Sequence, residues 1–157
     1  MSCDVAVAAF LMFASAGDAQ QARLILADAA APASVAGEPL FHDIVLRAAG
    51  LKSQVETWRA GIGQAAGPVP LSGFEAFSAR IGELSALDEN GHKLLVSRGA
   101  ADDLKCILHG IAQDLPAKLE AVKAAKTGHE EDLALRDIAY LLNDNVEVIT
   151  APPQPPA

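Results

Sequence analysis

Aromatic residues make up only 4% of this 157-residue chain, with one Trp and one Tyr. Sandwiches and barrels draw on aromatic and β-branched side chains in alternating runs, so the scarcity argues against an all-β fold. Cysteine is rarer still. Cys3 and Cys106 stand far apart in sequence and form no paired framework of the kind that staples small secreted domains. Clustered basic residues are missing as well, apart from the small group Lys118, Lys123 and Lys126. A nucleic-acid partner is therefore not expected, because phosphate neutralisation needs such clusters. Nor does the chain carry a glycine-rich phosphate loop, a Gly-x-Ser-x-Gly elbow, a His-Glu-x-x-His pair or a calcium loop. These absences lower the weight of an enzyme, and no cofactor is implied.

Long apolar runs are also lacking. Val5 to Ala16 is apolar and ends in small residues, but it is shorter than the ~20 residues of a membrane span. It has the look of a signal-peptide core, yet Asp4 stands where a positive n-region belongs. Read as a buried helix, it leaves the protein in the cytoplasm. The alternative is export, with residues 1–19 as an atypical signal peptide.

What the chain does have is 51% apolar residues, drawn mainly from Ala, Leu, Ile and Val, and a net charge of −8. The charge is uneven, with 10 acids and 5 basic residues from Ala101 onward against 5 and 5 between Leu51 and Ala100. Small aliphatic side chains suit close helix packing, and their spacing is helical. Leu104, Ile107, Leu108, Ile111, Leu115, Leu119 and Val122 recur at three- and four-residue steps, the period of one helix face. Phe41, Ile44, Val45, Ala48, Leu51, Val55 and Trp58 do the same after Pro39, which suits a first-turn position. Phe74, Phe77, Ile81 and Leu84 follow a capping-box spacing at Ser72 and Glu75. Leu135, Ile138, Leu141 and Leu142 follow a second at Thr127 and Glu130.

Several breaks are expected between these faces. Gly17-Asp18 divides the first apolar segment, Asp4 to Ala31, into a helix pair. Gly61 to Pro70, with three glycines and two prolines, is the longest connection. Asn90-Gly91 signals a turn, Pro116 a kink or restart capped by Asp114, and Gly50 a close helix crossing. Val146 to Thr150 reads as strand-like, and Ala151 to Ala157 holds four prolines in seven residues. The expected fold is all-α: an irregular helical bundle of about five to seven helices with an extended Pro-rich C-terminal tail. Residues 1–150 form a single helical domain, with the Gly61 to Pro70 loop separating an N-terminal hairpin from a C-terminal bundle. Residues 151–157 form a disordered tail.

The chemical signal lies on the helix that starts near Ala101. Opposite its apolar face, Asp102, Cys106, His109 and Gln113 fall at i, i+4, i+7 and i+11. Asp102, Cys106 and His109 are each competent zinc ligands, and His42, His92 or His129 would have to complete the site, since one helix cannot close a tetrahedron. The segment from His109 to Pro116 also resembles the H-box of histidine kinases, with Ile111 and Leu115 at its apolar positions. The resemblance implies a phosphoacceptor at His109. It departs from that pattern where Gly110 replaces the acidic residue that should follow the histidine. The expected function is a small acidic protein–protein interaction module, an adaptor, regulator or inhibitor without catalytic activity, acting as a homodimer with a protein partner of unknown identity. Asp102, Cys106, His109 and Gln113 are its candidate contact residues. The alternative is a signalling or ligand-binding bundle using the same stripe, as a phosphotransfer histidine or a metal site.

Overall fold

The computed structural model describes residues 34–63, 65–100 and 103–151. The expectations for Cys3, for the segment Asp4 to Ala31, for Asp102 and for the tail from residue 152 onward lie outside the described residues. Within them the protein is all-α, with four helices: α1 (Pro39–Ile62), α2 (Phe74–Ser97), α3 (Leu104–Ala124) and α4 (Gly128–Thr150). The expected count of five to seven therefore does not emerge among the described residues.

Each helix buries one stripe of its surface. α1 buries Phe41, Ile44, Ala48, Leu51, Val55 and Ile62, α3 buries Leu104, Leu108, Ile111, Leu115, Leu119 and Val122. These steps of three and four residues keep a single seam facing inward over five or six turns. Trp58, expected in the core, is half-buried and meets the buried Phe77 edge-on at 4.8 Å.

Cross-helix pairs fix the order. Arg47 bonds Glu83 and Trp58 packs on Phe77, so α1 and α2 run antiparallel. His109 bonds Glu89 while the backbone of Lys105 bonds His92, which does the same for α2 and α3. Lys52 with Asn143 and Arg59 with Asp132 set α4 against α1. The helices thus run up, down, up and down around one core, each packed on its two neighbours. α1 and the helices after the 61–70 connection share that core. Glu131 accepts the Val69 N–H at 2.8 Å, and Gly128 sits so close to Ala65 that a Cβ would fall 2.5 Å from its carbonyl oxygen. The connection is therefore pinned to the start of α4.

Five local expectations are corrected. α2 passes unbroken through Asn90-Gly91, because Gly91 faces inward and lets Phe41 and Leu108 approach to where a Cβ would be 3.2 Å from each. The close approach is there and not at Gly50, which is exposed and open. α3 does not restart at Pro116 but continues through it, because the proline lies on the exposed face while Leu115 and Leu119 beside it stay buried. α4 runs on through Val146 to Thr150, since burial of Asn145 and Ile149 one turn apart outweighs the strand preference of β-branched residues. The Ser72 cap does not form either. Gly73, at φ 75°, precedes α2 without a side-chain cap, whereas Thr127 accepts from the Glu130 N–H as its spacing predicts.

The two glycines should respond oppositely to substitution. Gly50→Ala, in open space on an exposed helix interior, is expected to stabilise by about 0.5–1 kcal/mol through helix propensity. Gly91→Val overpacks the α1, α2 and α3 contact and is expected to destabilise by about 1–3 kcal/mol. Urea unfolding of both variants checks the pair.

Candidate functional site

The polar stripe of α3 faces the seam with α2. Leu104, Leu108 and Ile111 turn into the core, which leaves Cys106 and His109 half-buried and Gln113 exposed along the helix edge. The helix period that buries one stripe therefore presents the other. His109 and Gln113 are joined by a 3.0 Å hydrogen bond, the Gln113 amide N–H donating to Nε2. Cys106 is one turn earlier on the same side.

The residue that organises the stripe comes from α2. Glu89 accepts the His109 Nδ1–H at 2.8 Å, fixing the tautomer so that Nε2 is the acceptor nitrogen. His92, one turn further along α2, lies with its ring 4.7 Å from the His109 ring and donates its own Nδ1–H to the Lys105 carbonyl at 2.6 Å. The hydrogen bond from His109, with help from Lys93, holds the Glu89 carboxyl below the usual glutamate range, against the opposing effect of burial. His109 keeps 37% of its side chain exposed, so the dyad is rigidly oriented yet open to solvent.

Among the described residues no group of three His, Cys, Asp or Glu side chains is placed to hold a metal. Of the expected completing ligands, only His92 reaches His109. His42 and His129 sit exposed on α1 and on the first turn of α4. No described helix is long and apolar enough to cross a membrane.

A second polar constellation lies inside. Asp88 of α2 and Asn145 of α4 are both fully buried, and the Asn145 Nδ2–H donates to Asp88 Oδ2 at 2.9 Å. Oδ1 of each is buried without a hydrogen-bond partner. Burial pushes the Asp88 carboxyl up to about 7, and the Asn145 N–H pulls the other way. The sequence reading names His92 beside His109 but not Asp88, Glu89 or Asn145. The signal for the inner pair was present, since Asp88 continues the Phe77, Ile81 and Leu84 steps and Asn145 those of Leu135, Ile138 and Leu142.

A cleft of about 380 Å³ opens at the end of the bundle, lined by Pro68, Val69, Leu71, Phe74, Val122 and Lys123 among others. Glu131 on its wall is already bonded to the Val69 N–H, which leaves the cleft largely apolar with Lys123 and Glu75 as its other charged groups. Comparison with family models, with curated proteins and with solved structures finds no match to this chain.

The Glu89 and His109 pair has a measurable signature. In His109→Ala the Glu89 carboxyl is expected to titrate higher, toward the ordinary glutamate value but short of it, because Lys93 remains. Side-chain carboxyl NMR of the native chain and the variant checks this.

Proposed function

We propose that the protein is a small cytoplasmic interaction module, an adaptor, regulator or inhibitor, that works as a homodimer and meets a protein partner through the α2 and α3 seam. The observation that carries this reading is the half-exposed hydrogen-bonded row Glu89, His109 and Gln113, held rigid by the bundle behind it. Val96, 47% exposed, lies two turns beyond Glu89 on α2 and adds an apolar contact to the same side. Rigid polar groups beside an exposed apolar side chain suit recognition, because little side-chain entropy is lost on docking.

Two substitutions separate this face from the core. Leu108→Asp puts a charge into the buried stripe and should unfold the bundle, a loss of about 4–5 kcal/mol or more. Gln113→Arg should leave the unfolding midpoint within about 0.5 kcal/mol of the native chain, as expected for an exposed site. It should also weaken self-association and partner capture. Native mass spectrometry and light scattering of the untagged chain check both. A native chain that stays monomeric across the accessible concentrations removes the homodimer.

A second reading has one specific observation in its favour. The acidic residue missing at Gly110 is supplied across the seam by Glu89, which holds the His109 Nδ1–H and makes Nε2 the nucleophile once the Gln113 amide swings away from its lone pair. His109 would then accept a phosphoryl group: Nε2 attacks phosphorus, the P–O bond of an acyl phosphate breaks, and the carboxylate leaves. Incubation with acetyl phosphate, read by intact mass, should give a single acid-labile phosphoryl adduct that His109→Gln abolishes and Glu89→Gln slows. An unmodified native chain sets this reading aside.

A further inference from the structure

α2 and α4 lie diagonally across the bundle and make no backbone approach of their own, so only side chains reaching through the core can tie them together. Asp88 and Asn145 do so. Their single bond leaves two oxygens, Asp88 Oδ1 and Asn145 Oδ1, fully buried and both lacking a donor. Two unserved acceptors in an apolar core are costly, and close-packed interiors seldom leave them so. One hydrogen atom removes both deficits. A proton on Asp88 Oδ1 turns that oxygen into a donor, and the acceptor it needs is Asn145 Oδ1, while Oδ2 goes on accepting from Nδ2. A carboxylic acid and a primary amide joined in this way form a closed two-bond ring in which every polar atom is used.

We propose that Asp88 is held as a neutral carboxylic acid in a two-bond ring with Asn145, and that this proton-dependent ring latches α2 to α4 across the core.

The surroundings support a neutral acid. From α1, α3 and α4 the buried neighbours of this layer are apolar, among them Phe41, Ile44, Leu108 and Leu142. The titratable and charged groups facing the same level are committed elsewhere. Glu89 bonds His109 and Lys93, and His92 bonds the Lys105 carbonyl. Lys105 itself bonds the Ala100 carbonyl, and Lys52 of α1 bonds Asn143 and pairs with Glu56. Asp144, next to Asn145 on α4, is an acid raised by burial and by Glu147, and offers Asp88 no counter-charge. No charged neighbour contributes to the shift of Asp88, which comes from burial with the Asn145 bond in opposition.

The sign of the linkage follows. Asp88 titrates at about 7 when folded and near 3.8 when unfolded, so the folded chain binds the extra proton between those values. Stability from this group is complete below the lower value and is lost as pH rises through the upper one. Glu38, Glu89 and Asp137, all lowered by their ion-pair or hydrogen-bond partners, act oppositely and lose their contribution only as pH falls below the ordinary carboxyl range. The interval between about pH 5 and 7.5 is therefore where the latch is read.

The test compares the full native chain with Asp88→Asn, whose amide can donate to Asn145 Oδ1 at any pH. Between pH 5.5 and 7.5 the folding equilibrium constant of the native chain should fall roughly tenfold or more relative to that of the variant. At pH 7.5 the variant should be the more stable of the two. Parallel pH profiles would overturn the proposal, as would a variant that fails to fold. A second measurement stands apart from any variant: the Asp88 carboxyl carbon resonance of the native chain should titrate with a midpoint near neutrality. A carboxyl ionised throughout pH 5 to 8, with its orphaned oxygen served by buried water, overturns it equally.

Discussion

Four apolar stripes must be buried at once, and each repeats at steps of three and four residues for the length of its helix. That shared period sets the rest. It forces the helices into near alignment, because a stripe that stays on one side for five or six turns can be covered only by neighbours running alongside it. The short link from Ala124 to Gly128 reverses α3 into α4, and Glu131 with Gly128 ties the 65–71 segment to the start of α4. With the ends held, the core admits little rearrangement. Gly91 shows how tight it is, since the space a methyl group would need there is taken by Phe41 and Leu108.

Most of this was legible in the residues. The apolar faces of α1, α3 and α4 follow from spacing alone, with Ile62, Ala139 and Ile149 added by structure and Val45, Trp58, Ile107 and Leu141 only half-buried. The breaks were the weak part, and for one reason. Asn90-Gly91, Pro116 and the run from Val146 to Thr150 are local signals worth a kilocalorie or a few, whereas the first two lie inside helices with buried residues on both sides and the third follows the buried Asn145 and itself buries Ile149. Leu84, Asp88 and Gly91 carry the core stripe straight through the expected turn. Leu115 and Leu119 do so around Pro116. A sequence read one signal at a time overweights punctuation that the packing overrides.

The outer stripe was legible in membership but not in partners. Spacing puts Cys106, His109 and Gln113 on one edge, as observed, yet nothing in the α3 segment announces Glu89 or His92. They belong to a helix some twenty residues earlier and reach His109 only because α2 and α3 are antiparallel. The same antiparallel register explains why neither His42 nor His129 joins them. His42 and His129 are placed by α1 and α4 on other sides of the bundle, so a metal site built from the helix stripe and a distant histidine has no support among the described residues.

Asp88 and Glu89 are consecutive, and α2 sends them in different directions, one to the bundle centre and one to the seam with α3. A helix turn of about 100° per residue makes that unavoidable. It also means the two constellations share a rigid backbone: rotating α2 enough to relieve Asp88 would carry Glu89 away from His109. The close contact at Gly91, half a turn further on, resists such a rotation because Leu108, the neighbour of His109 on α3, is packed against it. The geometry of the half-buried histidine therefore depends on the same packing that holds Asp88 inside. A polar residue at an apolar-face position is a weak stabiliser at best. Burial of Phe77, Ile81, Leu84 and Leu95 on the same stripe sets the rotation of α2, and with it both the inward placement of Asp88 and the surface on which Glu89, His109 and Gln113 are aligned.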